Sequence, residues 1–267
     1  MFLVAYMDDL LNRCGRSLSM SPRNLQYACA ISGIVVLILN LVGFAASGFL
    51  PPIPPSWDAE RTAEHYREHE KGILAGAALM AISSMPYLAY TAAISAQMRR
   101  IPNLPYAARA LQLASGAVAA VSFLMSGVIL AVADYRLDRP AEITQALNDL
   151  FWFISILPWP AFAAQDLGLA YAIIFDCRLN PLFPKPIAMV NIVASLLFVP
   201  SIALPCFKNG PLAWNGSVSF WIPISVFGVQ VVIDSICLVR AVSTDAETGE
   251  KVVDVQPTGL GTVDKMV

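Results

Sequence analysis

Six apolar runs, each long enough to cross a bilayer, constrain this chain more than any other feature. A helix needs roughly 20 apolar residues to span the hydrocarbon core. Lipid offers the backbone no water, so each run must form a helix that satisfies its own hydrogen bonds. The sequence therefore predicts an all-α, polytopic integral membrane protein with about six transmembrane helices in one bundle. The runs are residues 27–50, 72–98, 106–133, 150–175, 187–207 and 218–239.

Most of the lysines and arginines lie on one side of the predicted bundle. The positive-inside rule therefore predicts that both termini are cytosolic. The predicted division is a cytosolic segment over residues 1–26, a transmembrane domain over 27–240 and a cytosolic, disordered tail over 241–267. Most of the cysteines lie toward the cytosolic side, where thiols stay reduced, so no disulfide is expected.

The connection after the first run, residues 51–71, joins a proline-rich turn to a charged segment. The prolines force an extended backbone. Residues 58–70 then predict a short interfacial helix, with Glu64 on one face and with His65 and His69 on the adjacent face. A solvated helix lying on the membrane is the simplest interpretation of this segment.

A metal site is the alternative interpretation of the same helix. His65, Glu68 and His69 match the H-x-x-E-H pattern of some zinc proteases. Such a site needs a third protein ligand, which here would be a carboxylate such as Glu142 or Asp149. The chain has only 2 histidines, and nothing in the sequence selects the third ligand. No metal and no cofactor are therefore expected, and a zinc metalloprotease stays an alternative.

Acidic and tryptophan side chains share one face of the helix that enters the fourth run. At about 100° per residue they form a stripe that ends deep in the membrane. Pro158 and Pro160 predict a kink that frees nearby carbonyls. No basic residue lies in a central span, so Asp166 is expected to be protonated or to be held by Gln165, serines or the freed carbonyls. The stripe consists of Glu142, Gln145, Asp149, Trp152, Ile156, Trp159 and Asp166.

The last run and the connection before it carry further polar residues. Asp234 lies near the cytosolic end of the sixth run, where we expect an interfacial pair with Arg240. Asn215 opens a glycosylation sequon beside Trp214, so close to the membrane that we expect it to be unused. The sequence has no phosphate-binding glycine motif, no Ser–His–Asp pattern and no basic patch for nucleic acid.

Three stretches together resemble a family of small fungal membrane enzymes. These are GFLPPIPPSWDAERTAEHYREHEKGI (48–73), LNDLFWFISILPWPAFAAQD (147–166) and FKNGPLAWNGSVSFWIP (207–223). They are similar to the membrane-bound terpene cyclases of the ascofuranone and ascochlorin pathways, a family with related epoxide hydrolases of polyketide pathways such as aurovertin. Length and the six-span hydropathy agree over residues 25–240.

The resemblance implies an enzyme of secondary metabolism that opens an epoxide by acid catalysis and cyclises a terpenoid or meroterpenoid substrate. Such chemistry needs a carboxyl that stays protonated in an apolar setting and aromatic faces that stabilise a carbocation. Asp149 and Asp166 are the candidate acids, and His69 or Glu64 is the candidate acceptor of the proton from the nucleophile. The predicted substrate-binding residues are Tyr66, Trp152, Trp159, Trp214 and Asn215.

Three other functions stay open at this point. The first is a membrane epoxide hydrolase acting on a polyketide or polyene epoxide, the second is a small-molecule transporter or scaffold, and the third is the zinc metalloprotease. The expected partners are a lipophilic epoxidised prenyl or polyene chain, the bilayer, and other pathway enzymes in the same membrane. The expected location is the endoplasmic reticulum.

Overall fold

A computed structural model describes residues 20–253, with side chains described through residue 244. Within that range the chain forms α-helices with one 3₁₀ helix, Val199–Cys206, and one π-helical turn, Ser217–Trp221, and no strand. The α-helices are α1 (Pro22–Ala46), α2 (Ala59–Met98), α3 (Tyr106–Asp134), α4 (Ala141–Ile156), α5 (Trp159–Phe175), α6 (Pro186–Phe198) and α7 (Ile222–Val253).

Five helical segments are long and apolar enough to cross a membrane. Their outward faces carry large apolar side chains that are exposed, as lipid-facing surfaces require. The all-α, polytopic membrane fold predicted from the sequence is therefore confirmed. The segments are Pro22–Ala46, Ala59–Met98, Tyr106–Asp134, Pro186–Cys206 and Ser217–Thr244.

The fourth predicted span is divided into two helices rather than being one long helix. α4 ends at Ile156 and α5 begins at Trp159, with Leu157 and Pro158 between them. Proline lacks a backbone N–H and its ring collides with the preceding turn, so the helix cannot continue through it. The predicted kink is thus a full interruption, and neither half alone is long enough to cross a bilayer.

The predicted interfacial helix is continuous with the second span. α2 begins after Asp58, whose carboxylate accepts a hydrogen bond from the Arg61 N–H at 2.9 Å. The helical geometry is interrupted at His69, where φ is −110° and ψ is 15°. The segment before His69 is therefore a distinct first part of α2, joined to the transmembrane part by a local kink.

Small residues bring α1 and α2 close together near the outer end of the bundle. A Cβ added at Gly76 would collide with the Ser47 hydroxyl and the Gly43 carbonyl, so only glycine fits there. Such small-residue contacts are the usual way for membrane helices to approach closely.

The predicted terminal segments fall partly outside the described residues. Residues 1–19 and 254–267 lie outside that range. α7 continues to Val253, so the backbone remains helical beyond residue 240, where the transmembrane domain was expected to end.

Candidate functional site

A cavity of about 440 Å³ lies inside the bundle. The walls come from α1, α3, α4, α5, α6, α7, the 3₁₀ helix and the π-helical turn. Pockets of about 300–1,000 Å³ with mostly apolar walls are typical of small-molecule sites. The aromatic lining residues are Phe44, Phe123, Trp152, Trp159, Phe162, Phe198, Phe220 and Phe227, and the polar ones are Asn40, Ser155, Ser201 and Ser219.

The interruption between α4 and α5 shapes this cavity. Trp152 and Ile156 reach it from α4, and Trp159 and Phe162 reach it from α5. Asp166, the deepest residue of the predicted stripe, does not line the cavity. The break lies between the two tryptophans that line the cavity, so Trp152 belongs to α4 while Trp159 shares α5 with the deep acid Asp166.

An outer cluster of polar side chains lies at the contact between α2 and α4, and of its members only Trp152 lines the cavity. The Asn148 Oδ1 accepts hydrogen bonds from the Tyr66 hydroxyl at 3.3 Å and from the Trp152 Nε1 at 3.2 Å. The Asn148 Nδ2 lies 3.5 Å from an Asp149 carboxylate oxygen. Tyr66, Asn148 and Trp152 are all buried. The outer cluster, defined here as Tyr66, Asn148, Asp149 and Trp152, thus joins two predicted binding residues to one predicted acid.

A pair of stacked tryptophans forms the wall beside the outer cluster. The rings of Trp152 and Trp214 lie 6.1 Å apart and nearly parallel, at 8°. The Trp214 Nε1 donates to the Ile53 carbonyl at 2.8 Å, which anchors the ring to the turn after α1. Asn215 follows Trp214 and is half-buried. Trp214 supports Trp152 from behind, since only Trp152 of the two lines the cavity.

The two histidines lie outside this wall. Their rings are stacked with centroids 4.2 Å apart. The His65 Nε2 donates to the Ser47 carbonyl at 3.1 Å, and the His69 Nδ1 donates to the His65 carbonyl at 3.0 Å. Phe49 contacts both His65 and Trp152, and so separates the histidines from the cavity.

The remaining predicted proton acceptor, Glu64, is exposed on the first part of α2. The structure brings neither Glu64 nor His69 into contact with the cavity lining. In the described residues, no group of three or more His, Cys, Asp or Glu side chains is placed to hold a metal ion. The stacked histidines therefore have no third ligand there.

The environment of Asp149 favours its neutral form. Burial raises the pKa of Asp149, and this effect outweighs the hydrogen bond from Asn148 and the charge of Lys208, which both lower the pKa. The side chain is half-buried, so it keeps a connection to solvent. A carboxyl in this setting can give up a proton and be protonated again from water.

Asp134, at the end of α3, is an acid whose importance the sequence analysis missed. Its side chain is buried, and neither carboxylate oxygen has a hydrogen-bond partner among the described residues. The available sequence signal was an acid placed directly at the end of an apolar run. An orphaned buried carboxylate of this kind marks a strained or functional position.

A second, inner cluster of polar groups lies deeper in the bundle, where α2, α5, α6 and α7 meet. The Gln230 Nε2 donates to the Asn191 Oδ1 at 3.0 Å, and the Asn191 Nδ2 donates to the Asp234 Oδ1 at 3.2 Å. Gln230 also bonds to Asp166, and Tyr90 bonds to Asp234. We call Tyr90, Asp166, Asn191, Gln230 and Asp234 the inner cluster.

The expected interfacial pair of Asp234 with Arg240 is not formed. Asp234 is 1% exposed and has Asn191, Gln230 and Tyr90 as its hydrogen-bond partners. Six residues correspond to about 600° along a helix, so Asp234 and Arg240 point in directions about 120° apart. Asp234 therefore faces the bundle interior and joins Asp166, a proximity that the sequence analysis did not anticipate.

An aromatic layer separates the inner cluster from the cavity. Phe123, Phe162 and Phe227 line the cavity floor and each contacts the ring of Tyr87. The Tyr87 hydroxyl points away from them and donates to the Gln165 Oε1 at 3.0 Å. The cavity thus lies between an outer cluster that reaches solvent and an inner cluster that is sealed off.

Comparison with known proteins assigns no family to this geometry. No protein-family model, no curated protein and no solved structure matches this chain. The resemblance to fungal terpene cyclases stays a hypothesis, and the function is inferred from the cavity and the two polar clusters.

Proposed function

We propose that this chain is an integral membrane enzyme that opens an epoxide on a terpenoid or meroterpenoid substrate by acid catalysis and cyclises the product. The observations that support the proposal best are the aromatic cavity and the raised pKa of Asp149. Asp149 does not line the cavity but follows Asn148, whose side chain holds the cavity tryptophan Trp152. A volume of about 440 Å³ suits a prenyl chain folded on itself. The endoplasmic reticulum, with both termini in the cytosol, is the location that fits the proposal.

The proposed substrate enters from the bilayer between α1 and α7. Leu41 and Val232 both line the cavity and are 58% and 38% exposed, so the cavity reaches the lipid-facing surface there. A lipophilic chain concentrated in the membrane would reach the cavity without passing through water. The epoxide would then lie at the outer end, against the face of Trp152.

In the proposed reaction the Asp149 carboxyl gives its proton to the epoxide oxygen. The C–O bond at the more substituted carbon breaks, and the electron pair of an internal alkene forms the new C–C bond. The resulting carbocation loses a proton, which returns to the Asp149 carboxylate, so the reaction is an isomerisation without a cofactor. The faces of Trp152 and Phe220 stabilise the positive charge before that loss.

The roles of the other predicted residues follow from their positions. Trp159 shapes the lower wall of the cavity, and Trp214 and Tyr66 hold Trp152 and Asn148 in place. The assignment of His69 or Glu64 as proton acceptor stays a prediction. Their positions outside Phe49 suit exchange of protons with solvent better than contact with the substrate.

The test is to feed an epoxidised prenyl arene to membranes that contain the full chain. Removing a general acid costs typically 10²–10⁴-fold in rate, so Asp149→Asn should lose about 100-fold or more. Glu142→Gln is the matched control, because it neutralises an exposed acid on the same helix. Full cyclisation by Asp149→Asn would contradict the assignment, and loss of activity in Asp166→Asn alone would move the proton donor to the inner cluster.

An epoxide hydrolase is the second candidate, favoured by one observation. The Ser201 hydroxyl is buried at the cavity wall and has no hydrogen-bond partner among the described residues. It could hold a water molecule that attacks the opened epoxide in place of an alkene. Reaction in ¹⁸O-water distinguishes the two, because hydrolysis labels the product and cyclisation through the alkene does not.

A further inference from the structure

We propose that the inner cluster binds a single sodium ion between α5 and α7. This site is separate from the proposed reaction, since the aromatic layer of Phe123, Phe162 and Phe227 lies between it and the cavity. Three oxygen atoms of the inner cluster are buried without a hydrogen-bond partner among the described residues: Asp166 Oδ2, Asp234 Oδ2 and Gln230 Oε1. Their side chains are 7%, 1% and 3% exposed. Buried polar atoms are almost always paired, so three orphans in one cluster require an explanation.

The three oxygens belong to side chains that interact with one another. The Gln230 Nε2 donates to the Asn191 Oδ1 at 3.0 Å, and the Gln230 side chain also interacts with Asp166 and Asp234. The Asp234 Oδ1 accepts from the Asn191 Nδ2 at 3.2 Å, which leaves the Asp234 Oδ2 unpaired. The Asp166 Oδ2 and the Gln230 Oε1 are likewise without a partner among the described residues.

The cluster lacks positive charge of its own. The segments that surround it, residues 72–98, 159–175, 186–198 and 222–239, contain no lysine, arginine or histidine. The other titratable groups that face the two carboxyls are Tyr87 and Tyr90 on α2 and Cys237 on α7. None of these can supply a cation, and an unpaired carboxylate inside a membrane bundle is costly.

A small monovalent cation fits this arrangement better than the other ligands. All three orphaned atoms are oxygens, the ligands that hard cations prefer. A single proton shared between two of the oxygens would leave the third unpaired, whereas sodium can contact all three. Calcium needs about 6–8 oxygen ligands, and the described residues contain no group of three or more acidic, His or Cys side chains that could hold it. One sodium ion and one proton together would leave the two carboxyls neutral.

The test measures thermal unfolding of the purified full chain in detergent at fixed pH and ionic strength, with sodium replaced by choline or potassium. A ligand that binds only the folded state stabilises it in a saturable way. The midpoint of unfolding should rise with sodium concentration, reach a plateau, and change much less with the other two cations. A midpoint that does not respond to sodium, or that responds equally to all three salts, would overturn the proposal.

Two variants locate the site. Asp234→Asn and Gln230→Leu should each abolish the response to sodium, while Glu142→Gln, an exposed acid on α4, should keep it. A response that survives both inner-cluster changes would place the ion elsewhere and contradict the assignment. Because either variant could fail to fold, saturable ²²Na⁺ binding to the wild-type chain, displaced by unlabelled sodium but not by choline, is measured in parallel. Absence of such binding would also overturn the proposal.

Discussion

At the scale of single residues, Asn148 organises the outer cluster. One side-chain oxygen accepts from both Tyr66 and Trp152, and its amide nitrogen faces Asp149. Asparagine suits this role because its carbonyl oxygen has two lone pairs and its nitrogen can donate to a carboxylate. The orientation of the cavity tryptophan therefore depends on a residue that does not line the cavity itself.

Removal of the Asn148 oxygen should destabilise the fold. Asn148→Leu leaves the buried Tyr66 hydroxyl and Trp152 N–H without an acceptor, and each orphaned donor costs about 1–3 kcal/mol. We expect a loss of about 2 kcal/mol or more, measured by denaturant unfolding in detergent. Tyr66→Phe removes one donor and no acceptor, so it should cost about 1 kcal/mol. Equal effects of the two changes would argue against the shared acceptor.

The pH dependence of the reaction should follow Asp149. Its pKa is raised, chiefly by burial, so the proton-bearing form persists to higher pH than in an ordinary aspartate. A general acid works only while it holds its proton. We therefore expect kcat/KM for cyclisation to be constant at low pH and to fall as pH rises through the raised pKa. A rate that increases across the same range would show that Asp149 acts as a base.

At the scale of secondary-structure elements, the loop between α5 and α6 is held by an ion pair. The Arg178 guanidinium donates to both oxygens of Asp176 at 2.7 Å, and the Leu182 N–H donates to the same carboxylate at 3.0 Å. Burial alone would raise the pKa of Asp176, but these hydrogen bonds outweigh it and lower the pKa. Lys185 adds hydrogen bonds to three carbonyls at the end of α5. The loop is thereby fixed to the helix that carries Asp166.

Because of this ion pair, part of the free energy of unfolding should be lost in acid. The folded-state pKa of Asp176 lies below its unfolded value. The contribution of Asp176 to the free energy of unfolding is therefore fully present above about pH 4, the ordinary pKa of aspartate. It disappears as pH falls through the folded pKa. Asp176→Asn should cost about 1–3 kcal/mol at neutral pH and should flatten the acid side of a plot of unfolding free energy against pH. Asp138→Asn, an exposed acid on the other side of the bundle, should leave that plot unchanged.

At the scale of the whole molecule, the bundle encloses its cavity by means of helix breaks. The α4–α5 interruption, the 3₁₀ helix and the π-helical turn all contribute to the cavity walls. Regular helices pack closely along their length and leave few voids. The irregular segments prevent that close packing over one stretch of the bundle, and this leaves space for a ligand.

A larger side chain in the cavity should lower the activity without lowering the stability of the fold. A Cβ added at Gly228 meets no atom within 4 Å, so a larger side chain there projects into free space. Gly228→Leu should abolish most of the activity by occupying the substrate space. The same change should stabilise the helix by about 0.5–1 kcal/mol, because glycine is a poor helix former. Both effects are measured on one preparation, by turnover of the epoxide and by thermal unfolding.

The neighbouring residue provides the control for that change. Val229 is 59% exposed on the lipid-facing side of α7. Val229→Leu adds bulk at the surface and should leave turnover unchanged. Full activity of Gly228→Leu would contradict the assignment of the cavity as the substrate site.

Several elements were predictable because their signals are local. The apolar runs and the kink near Pro158 each depend on a few consecutive residues. The positions of Glu64 and His69 relative to the cavity could not be predicted in this way. A helical repeat identifies the face of the helix on which a residue lies, but not the element that packs against that face.

By itself the sequence determined that this chain is a helical membrane protein with prolines that distort its fourth span. Run length, proline chemistry and the need of a backbone in lipid to bond to itself are all properties of short segments. Only the tertiary structure decided that Asp234 faces Asp166, that Asn148 links Tyr66 to Trp152, and that a cavity lies between the two clusters. Those contacts join residues far apart in the chain, and they exist only because of the way the helices cross.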